Sequence, residues 1–468
     1  MKWLTLATLV AAVGSFAILF LSAWGLGTDV NLQFVAYWGL FFAMTGVLGG
    51  LMQETTRAVG AAAARDDGPS HGSSSLVRGD AGRVVRARPM VVAAGVAAVT
   101  FVVFAASGPL WVGLVVDDAH VPAVLLMAGG LAMYAMQAAV SGVLSGTRLW
   151  GQYAALIILD IVTRVVPAVL AWWFGWGLVA WLWITVVGTV SWLLLAAVSP
   201  ATRRAMASRA DVPVRRFVPL MITAMGAAGA SAVLVTGFPT LVKISADHGA
   251  GVLGAVTAAG IAYAVTLTRA PLLMPLEKFQ NAIIVHFVRS TGGPLAALAK
   301  PLGALFAFGV LGSALAWLIG PWILEVILKP DYFVPGRTLA GLTLGATFTA
   351  VLMVTGAVTL AVDRHRAYLA GWLLATIVAT AVLFGPGTLE LRSVLALVVG
   401  PTLGVVLHLL VLKAVAPEDP ADKATVVATV VTDAANDATD ATDDAAGGIG
   451  PVPGAPPQSS PTSPPAQT

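Results

Sequence analysis

The sequence predicts an all-α, polytopic integral membrane protein: twelve transmembrane helices in two six-helix lobes related by a pseudo-twofold along the membrane normal, with both termini cytoplasmic. Three observations carry that reading. The 468 residues are 58% hydrophobic and only 10% charged, with a mean hydropathy of +0.88, so the chain's main solvent is lipid. Basic residues sort onto one side of the apolar runs. Short motifs recur at a shared offset of 212 positions.

Crossing a hydrocarbon core of about 30 Å takes about 20 apolar residues in a helix. That template places spans at 3 to 24, 33 to 52, 90 to 115, 121 to 145, 152 to 174, 178 to 199, 217 to 242, 251 to 275, 301 to 327, 337 to 361, 367 to 385 and 393 to 413. The run from Trp3 to Trp24 is longer than a secretory signal core and reads as an uncleaved first helix. The basic loop from Gln53 to Pro89, with Gly, Pro and Ser at its centre, reads as a solvated cytoplasmic connection. Residues 1–200 form the expected N-terminal lobe, 201–216 a basic cytoplasmic linker and 217–413 the C-terminal lobe. From 414 to 468 the composition turns to Ala, Thr, Asp, Pro and Ser, a segment that cannot bury a core and is expected to be a disordered cytoplasmic tail.

Orientation follows from charge. With the N-terminus inside, only Lys243, Lys329, Arg337 and Arg392 of the 26 basic residues lie outside and Arg164 falls mid-membrane; the rest, Arg269 included, fall on the inner side or at inner helix ends. The tail holds eight of the 23 acids and one of the 26 bases. The preceding chain therefore carries about +10, a surplus suited to anionic lipid or an anionic substrate.

The repeat rests on two matches. Thr56-Arg57-Ala58 recurs as Thr268-Arg269-Ala270, and Gly108-Pro109 as Gly320-Pro321, each 212 positions on. Parallel repeats of this kind place a site between lobes that rock about it.

Charge inside an apolar run marks the candidate site. Arg269 sits in Leu267–Arg289, followed by Pro271 and Pro275, which lack the helical N–H and are expected to kink or break the helix as a hinge. It reads either as a ligand-facing cation or as a residue that snorkels to the headgroups. Asp160 and Arg164 are four apart on the fifth helix and share a face; at about 1.5 Å per residue they lie roughly 12 and 18 Å deep. They form either a neutralised packing pair or an anion site in which Asp160 holds Arg164 or couples protons. Lys243 is read as a snorkelling residue, and the small residues Gly226 to Ala232 as a packing surface. Beyond the prolines, Phe279, Ile283 and Phe287 suggest an amphipathic helix at the inner surface.

Several classes find no support. Cysteine is absent and the six histidines show no metal-ligand spacing, so no metal or other cofactor is expected. The expected outer loops are too short for an extracytoplasmic polymerase or glycosyltransferase. The chain reads as a transporter rather than an enzyme.

Gln53–Gly60 (QETTRAVG), Gly142–Arg164 (GVLSGTRLWGQYAALIILDIVTR), Leu267–Arg289 and Gly320–Pro335 (GPWILEVILKPDYFVP) resemble the lipid-linked oligosaccharide and polysaccharide flippases of the multidrug/oligosaccharidyl-lipid/polysaccharide (MOP) exporter superfamily, in the divergent form found in high-GC bacteria. The resemblance implies a V-shaped pair of lobes in the cytoplasmic membrane that move a polyprenyl-diphosphate-linked sugar by alternating access. By the resemblance Arg164 and Arg269 would face the cavity and hold the diphosphate; Asp160, as the partner of Arg164, and Arg57, as the repeat mate of Arg269, complete the candidate substrate-binding residues. The implied partners are this anionic lipid-linked sugar, membrane lipids, and cytoplasmic glycosyltransferases or assembly proteins recruited by the tail; no nucleic acid is implied, and a monomer is expected. The chain departs from the peptidoglycan-precursor branch in having no basic residue in its first helix beyond Lys2. A cation-coupled drug antiporter of the same superfamily would be expected to hold an acid in that helix, and none lies between Leu4 and Trp24. A major-facilitator transporter would carry G-x-x-x-D-R after its second helix, which this loop lacks. A non-transporting envelope-assembly scaffold is the remaining alternative.

Overall fold

The computed structural model describes residues 2–67, 86–248, 256–289, 294–362 and 364–414. The centre of the first long loop and the whole acidic tail lie outside these residues. The helices are α1 (Lys2–Gly25), α2 (Thr28–Asp67), α3 (Pro89–Ala106), α4 (Gly108–Val115), α5 (His120–Gly146), α6 (Trp150–Trp173), α7 (Leu178–Val187) and α8 (Ser191–Val198). After the short α9 (Pro200–Met206) come α10 (Val214–Val235), α11 (Phe238–His248), α12 (Ala258–Arg289), α13 (Pro294–Ile327), α14 (Gly336–Ala361), α15 (His365–Leu383) and α16 (Leu389–Ala414).

Among the described residues eleven helical segments are long and apolar enough to cross a membrane, and α12 adds an apolar stretch at Ala258–Leu273. Each expected span overlaps one of these helices or a pair of them, the eighth from Ala258 onward. Spans three, six and seven are the interrupted ones: α3 gives way to α4 at Ser107, α7 to α8 through a short 3-10 turn, and α10 to α11 at Thr236–Gly237. The stretch from Gln53 to Asp67, expected in a loop, is helical.

Packing repeats between the halves. α1 lies against α6, α2 and α3 against α5; correspondingly α10 lies against α15, and α12 and α13 against α14. Gly108 and Gly320 occupy matching seams: a Cβ on either would come within 2.7 Å of the next span, at Val124 and Leu339 respectively. The Thr-Arg-Ala match has no such equivalence. Arg57 lies 29 residues into α2, whereas Arg269 lies 11 residues into α12, depths of about 44 and 17 Å.

α14 is the most buried span. Its buried Thr343, Thr347, Thr349, Thr355 and Thr359 donate to carbonyls three or four residues back at 2.7–3.0 Å, so polar side chains sit inside the bundle without stranding a donor. The halves meet chiefly along α2 and α10. Gly50 there faces the α10 backbone at Ala224 and Met225, and a Cβ on Gly229 would lie 2.9 Å from Val47; small residues permit this approach.

At the end where α1 meets α2, polar bonds latch the halves. Trp24 Nε1 donates to the Ile327 carbonyl at 2.7 Å, Thr28 Oγ1 to Asp331 at 3.0 Å, Lys329 Nζ to the Leu26 carbonyl at 3.1 Å, and Tyr332 Oη to Asn31 at 3.0 Å. Lys243 belongs to this latch and does not snorkel. It is buried and bonds Asp117 at 3.0 Å and Asp247 at 2.8 Å, while Asp117 is also held by Gln33 Nε2 at 2.8 Å. Two carboxylates and a short reach outcompete the headgroup region for the ammonium.

Candidate functional site

Below the latch a cavity opens between the halves. One lobe of it, about 310 Å³, lies among α1, α2, the α10–α11 break and α12; a second, about 590 Å³, continues between α2, α10, α14 and α15 toward Gln53 and Tyr368. The two share Phe42, Val235 and Thr236. Sequence alone explains one wall: Phe34, Trp38 and Phe42 recur every four residues on α2 and stack with ring centroids 5.7 and 4.6 Å apart, so Trp38 and Phe42 line the cavity while Phe34 is buried in the core. This aromatic stripe is legible in the sequence itself, in residues that carry no charge. The small-residue run of α10 is divided: Gly229 packs on α2, whereas Ala227, Ala228 and Ser231 line the cavity.

Among the described residues lining either lobe, Arg269 is the one that carries a charge. Its Nη1 donates to the carbonyls of Leu234 and Val235 at 2.9 and 3.1 Å, the last residues of α10, whose carbonyls the break leaves without helical partners. The guanidinium stands over Phe238 at 5.0 Å, and Nε and Nη2 have no hydrogen-bond partner in the protein. Because α12 starts at Ala258 rather than near 251, Arg269 lies about 17 Å into the helix and not at its inner end. The snorkelling alternative fails on that depth. α12 runs unbroken through Pro271 and Pro275, with Pro271 exposed; the discontinuity falls on the neighbouring seventh span instead. The Pro275 side chain and the faces of Phe279, Ile283 and Phe287 lie outside the described residues, although the backbone there continues the same helix.

Arg164 occupies a different environment. It is 2% exposed, bonds Asp160 at 3.0 Å, and stands over Phe42 at 5.2 Å and Phe41 at 5.9 Å. Gln137 Nε2 donates to the same Asp160 oxygen at 3.1 Å. Gly188, in the turn between α7 and α8, makes the room: a Cβ there would collide with the Arg164 side chain and lie 2.7 Å from Asp160 Oδ1. Arg164 thus sits inside the first six-helix group and lines neither lobe of the cavity; Phe42 is its shared neighbour with the Arg269 chamber.

Arg57 is farther still. It is paired with Glu54 at 2.6 Å and reaches Asp211 at 3.5 Å. Arg65 adds a contact to Asp211 at 3.7 Å, and the Asp211 amide donates to the Ala58 carbonyl at 3.0 Å, so this network ties the 201–216 stretch to α2. Among the described residues no group of three or more acids and histidines is placed to hold a metal ion.

This fold is that of multi-pass transporters of the MOP superfamily. The inward-facing conformation of a multidrug-resistance MATE-family transporter aligns with a TM-score of 0.66 at 14% identity, over 86% of this chain and 95% of that one; the outward-facing conformation of a MATE transporter aligns at 0.58, with 14% identity over 88% and 95%. A MOP transporter from Pyrococcus furiosus, described as having a binding pocket of reverse polarity that suggests a different function, aligns at 0.59 with 14% identity over 88% and 95%. No family model matches the chain. The chain belongs to the family of a set of uncharacterized mycobacterial proteins: it is 39% identical over 406 residues to proteins of Mycobacterium bovis and Mycobacterium tuberculosis, covering 87% of this chain and 90% of each.

Proposed function

We propose that this chain is an alternating-access exporter whose central cavity receives an anionic substrate through Arg269, and that the substrate is a polyprenyl-diphosphate-linked oligosaccharide. The observation that carries the reading is the charge of the cavity: among the described residues its lining holds one charged side chain, an arginine whose Nε and Nη2 have no hydrogen-bond partner. A cation needs a carboxylate in such a place, whereas a diphosphate needs donors held in a fork geometry. The reverse-polarity pocket of the Pyrococcus furiosus protein is a precedent on the same fold. Residues 1–200 and 217–413 act as the two rocking lobes, joined by 201–216, in the cytoplasmic membrane. The latched outer end and the chamber reaching Gln53 and Tyr368 correspond to loading from the inside. Arg164 and Asp160 hold the first lobe together behind Phe42 rather than touching the diphosphate at this stage.

The test is reconstitution of the full-length chain in proteoliposomes with a fluorescent polyprenyl-diphosphate sugar. Protein-dependent translocation is expected, lost in Arg269→Ala. Absence of translocation, together with proton- or sodium-driven movement of a lipophilic cation, would assign the chain to the antiporter class instead.

A further inference from the structure

A second recess, separate from the cavity, lies on the outer wall of the bundle between α3 and α10 and holds about 800 Å³. Its walls are one face of each helix, with Val92, Val96 and Val99 on α3 and Val218, Met221 and Met225 on α10. Its rim is cationic: among the described residues lining it, Arg86, Arg88 and Arg209 are the charged ones. These arginines come from two chain segments held together by the backbone, through Ala87 N to the Val212 carbonyl and Ala210 N to the Ala87 carbonyl, both 2.9 Å, and by an isolated bridge between Arg86 and Pro213. Arg88 and Arg209 are exposed. α3 and α10 both begin at this rim, so two helix N-termini add positive potential to it.

We infer that this groove binds an anionic phospholipid of the inner leaflet, with its phosphate at Arg88 and Arg209 and one acyl chain along the valine and methionine walls. Dimension and charge select the occupant. From Val214 to Met225 the groove runs about 17 Å, roughly half of a 30 Å core and hence the depth of one leaflet; a long polyprenyl chain would overrun it. Polybasic sites at the membrane surface favour anionic headgroups over zwitterionic ones. The groove shares no lining residue with the central cavity, and Gly50 of α2 packs against the α10 backbone at Met225. The bound lipid therefore bridges a helix from each half without entering the transport path.

Native mass spectrometry of the full-length protein, delipidated and then offered phosphatidylglycerol or phosphatidylcholine with identical chains, tests this independently of transport. The wild type is expected to retain phosphatidylglycerol about tenfold better. R88Q/R209Q is expected to bring it down to the phosphatidylcholine level, and Val96→Trp to reduce retention of both by filling the groove. Equal retention of the two lipids by the wild type, or an unchanged preference in R88Q/R209Q, would overturn the site. Displacement of phosphatidylglycerol by an equimolar polyprenyl phosphate would overturn the choice of occupant.

Discussion

Two buried arginines divide this molecule. Arg164 and Arg269 are both nearly solvent-free, 2% and 4% exposed, yet their surroundings differ. Arg164 has a carboxylate at 3.0 Å, two aromatic faces and a glycine that makes space for it. Arg269 has two backbone carbonyls, one aromatic face and open volume. Burial alone marks neither as functional: Arg164 leaves one nitrogen, Nε, unpaired beside its carboxylate, whereas Arg269 leaves two, Nε and Nη2, beside the cavity, and on the proposed reading those two are kept for a ligand.

Breaking the pair gives the largest stability difference. Asp160→Ala strands Arg164 and is expected to cost about 3–5 kcal/mol, read as a lower melting temperature in detergent, whereas Arg269→Leu uncaps two carbonyls without stranding a charge and is expected to cost about 1–2 kcal/mol. Similar losses from both substitutions would dissolve the distinction. Gly188→Ala comes next, at about 1–3 kcal/mol, because the added methyl meets the Arg164 side chain. Arg57→Ala is expected to change stability by under about 1 kcal/mol, since its ion pairs are half-exposed, and transport by less than about twofold.

The latch offers a way to sharpen the comparison by conformation. The natural chain has no cysteine, so Thr28→Cys with Asp331→Cys introduces a single pair where the native side chains bond at 3.0 Å. Oxidation is expected to stop transport and reduction to restore it. Continued transport by the crosslinked protein would mean that this end does not open.

The fold was legible because lipid imposes its own thickness on sequence: eleven of the expected spans fall on helical segments long and apolar enough to cross a membrane among the described residues, and the Gly-Pro match marks equivalent seams. The start of α12 was not, since the Gly- and Ala-rich residues before Ala258 are as apolar as a span. That seven-residue shift hid the depth of Arg269 and made the Thr-Arg-Ala match look like a repeat. Lys243 reads as a snorkelling residue because Asp247, four positions on, is only half of its environment; the other carboxylate, Asp117, is 126 positions away, a pairing that no local pattern announces. The α10 break was equally silent: Thr236-Gly237 looks like many tolerated mid-span pairs until Arg269 is seen capping the carbonyls it exposes.

The central claim is tested most directly by comparing translocation of the polyprenyl-diphosphate sugar in proteoliposomes carrying Arg269→Gln with that in proteoliposomes carrying the neutral double variant Asp160→Asn/Arg164→Gln. Loss of charge-assisted bonds to the diphosphate predicts a decrease of about 100-fold in the first and rates within about fivefold of wild type in the second, once both are matched for folded protein. A second variant as inactive as the first, or a first variant as active as wild type, would contradict the account.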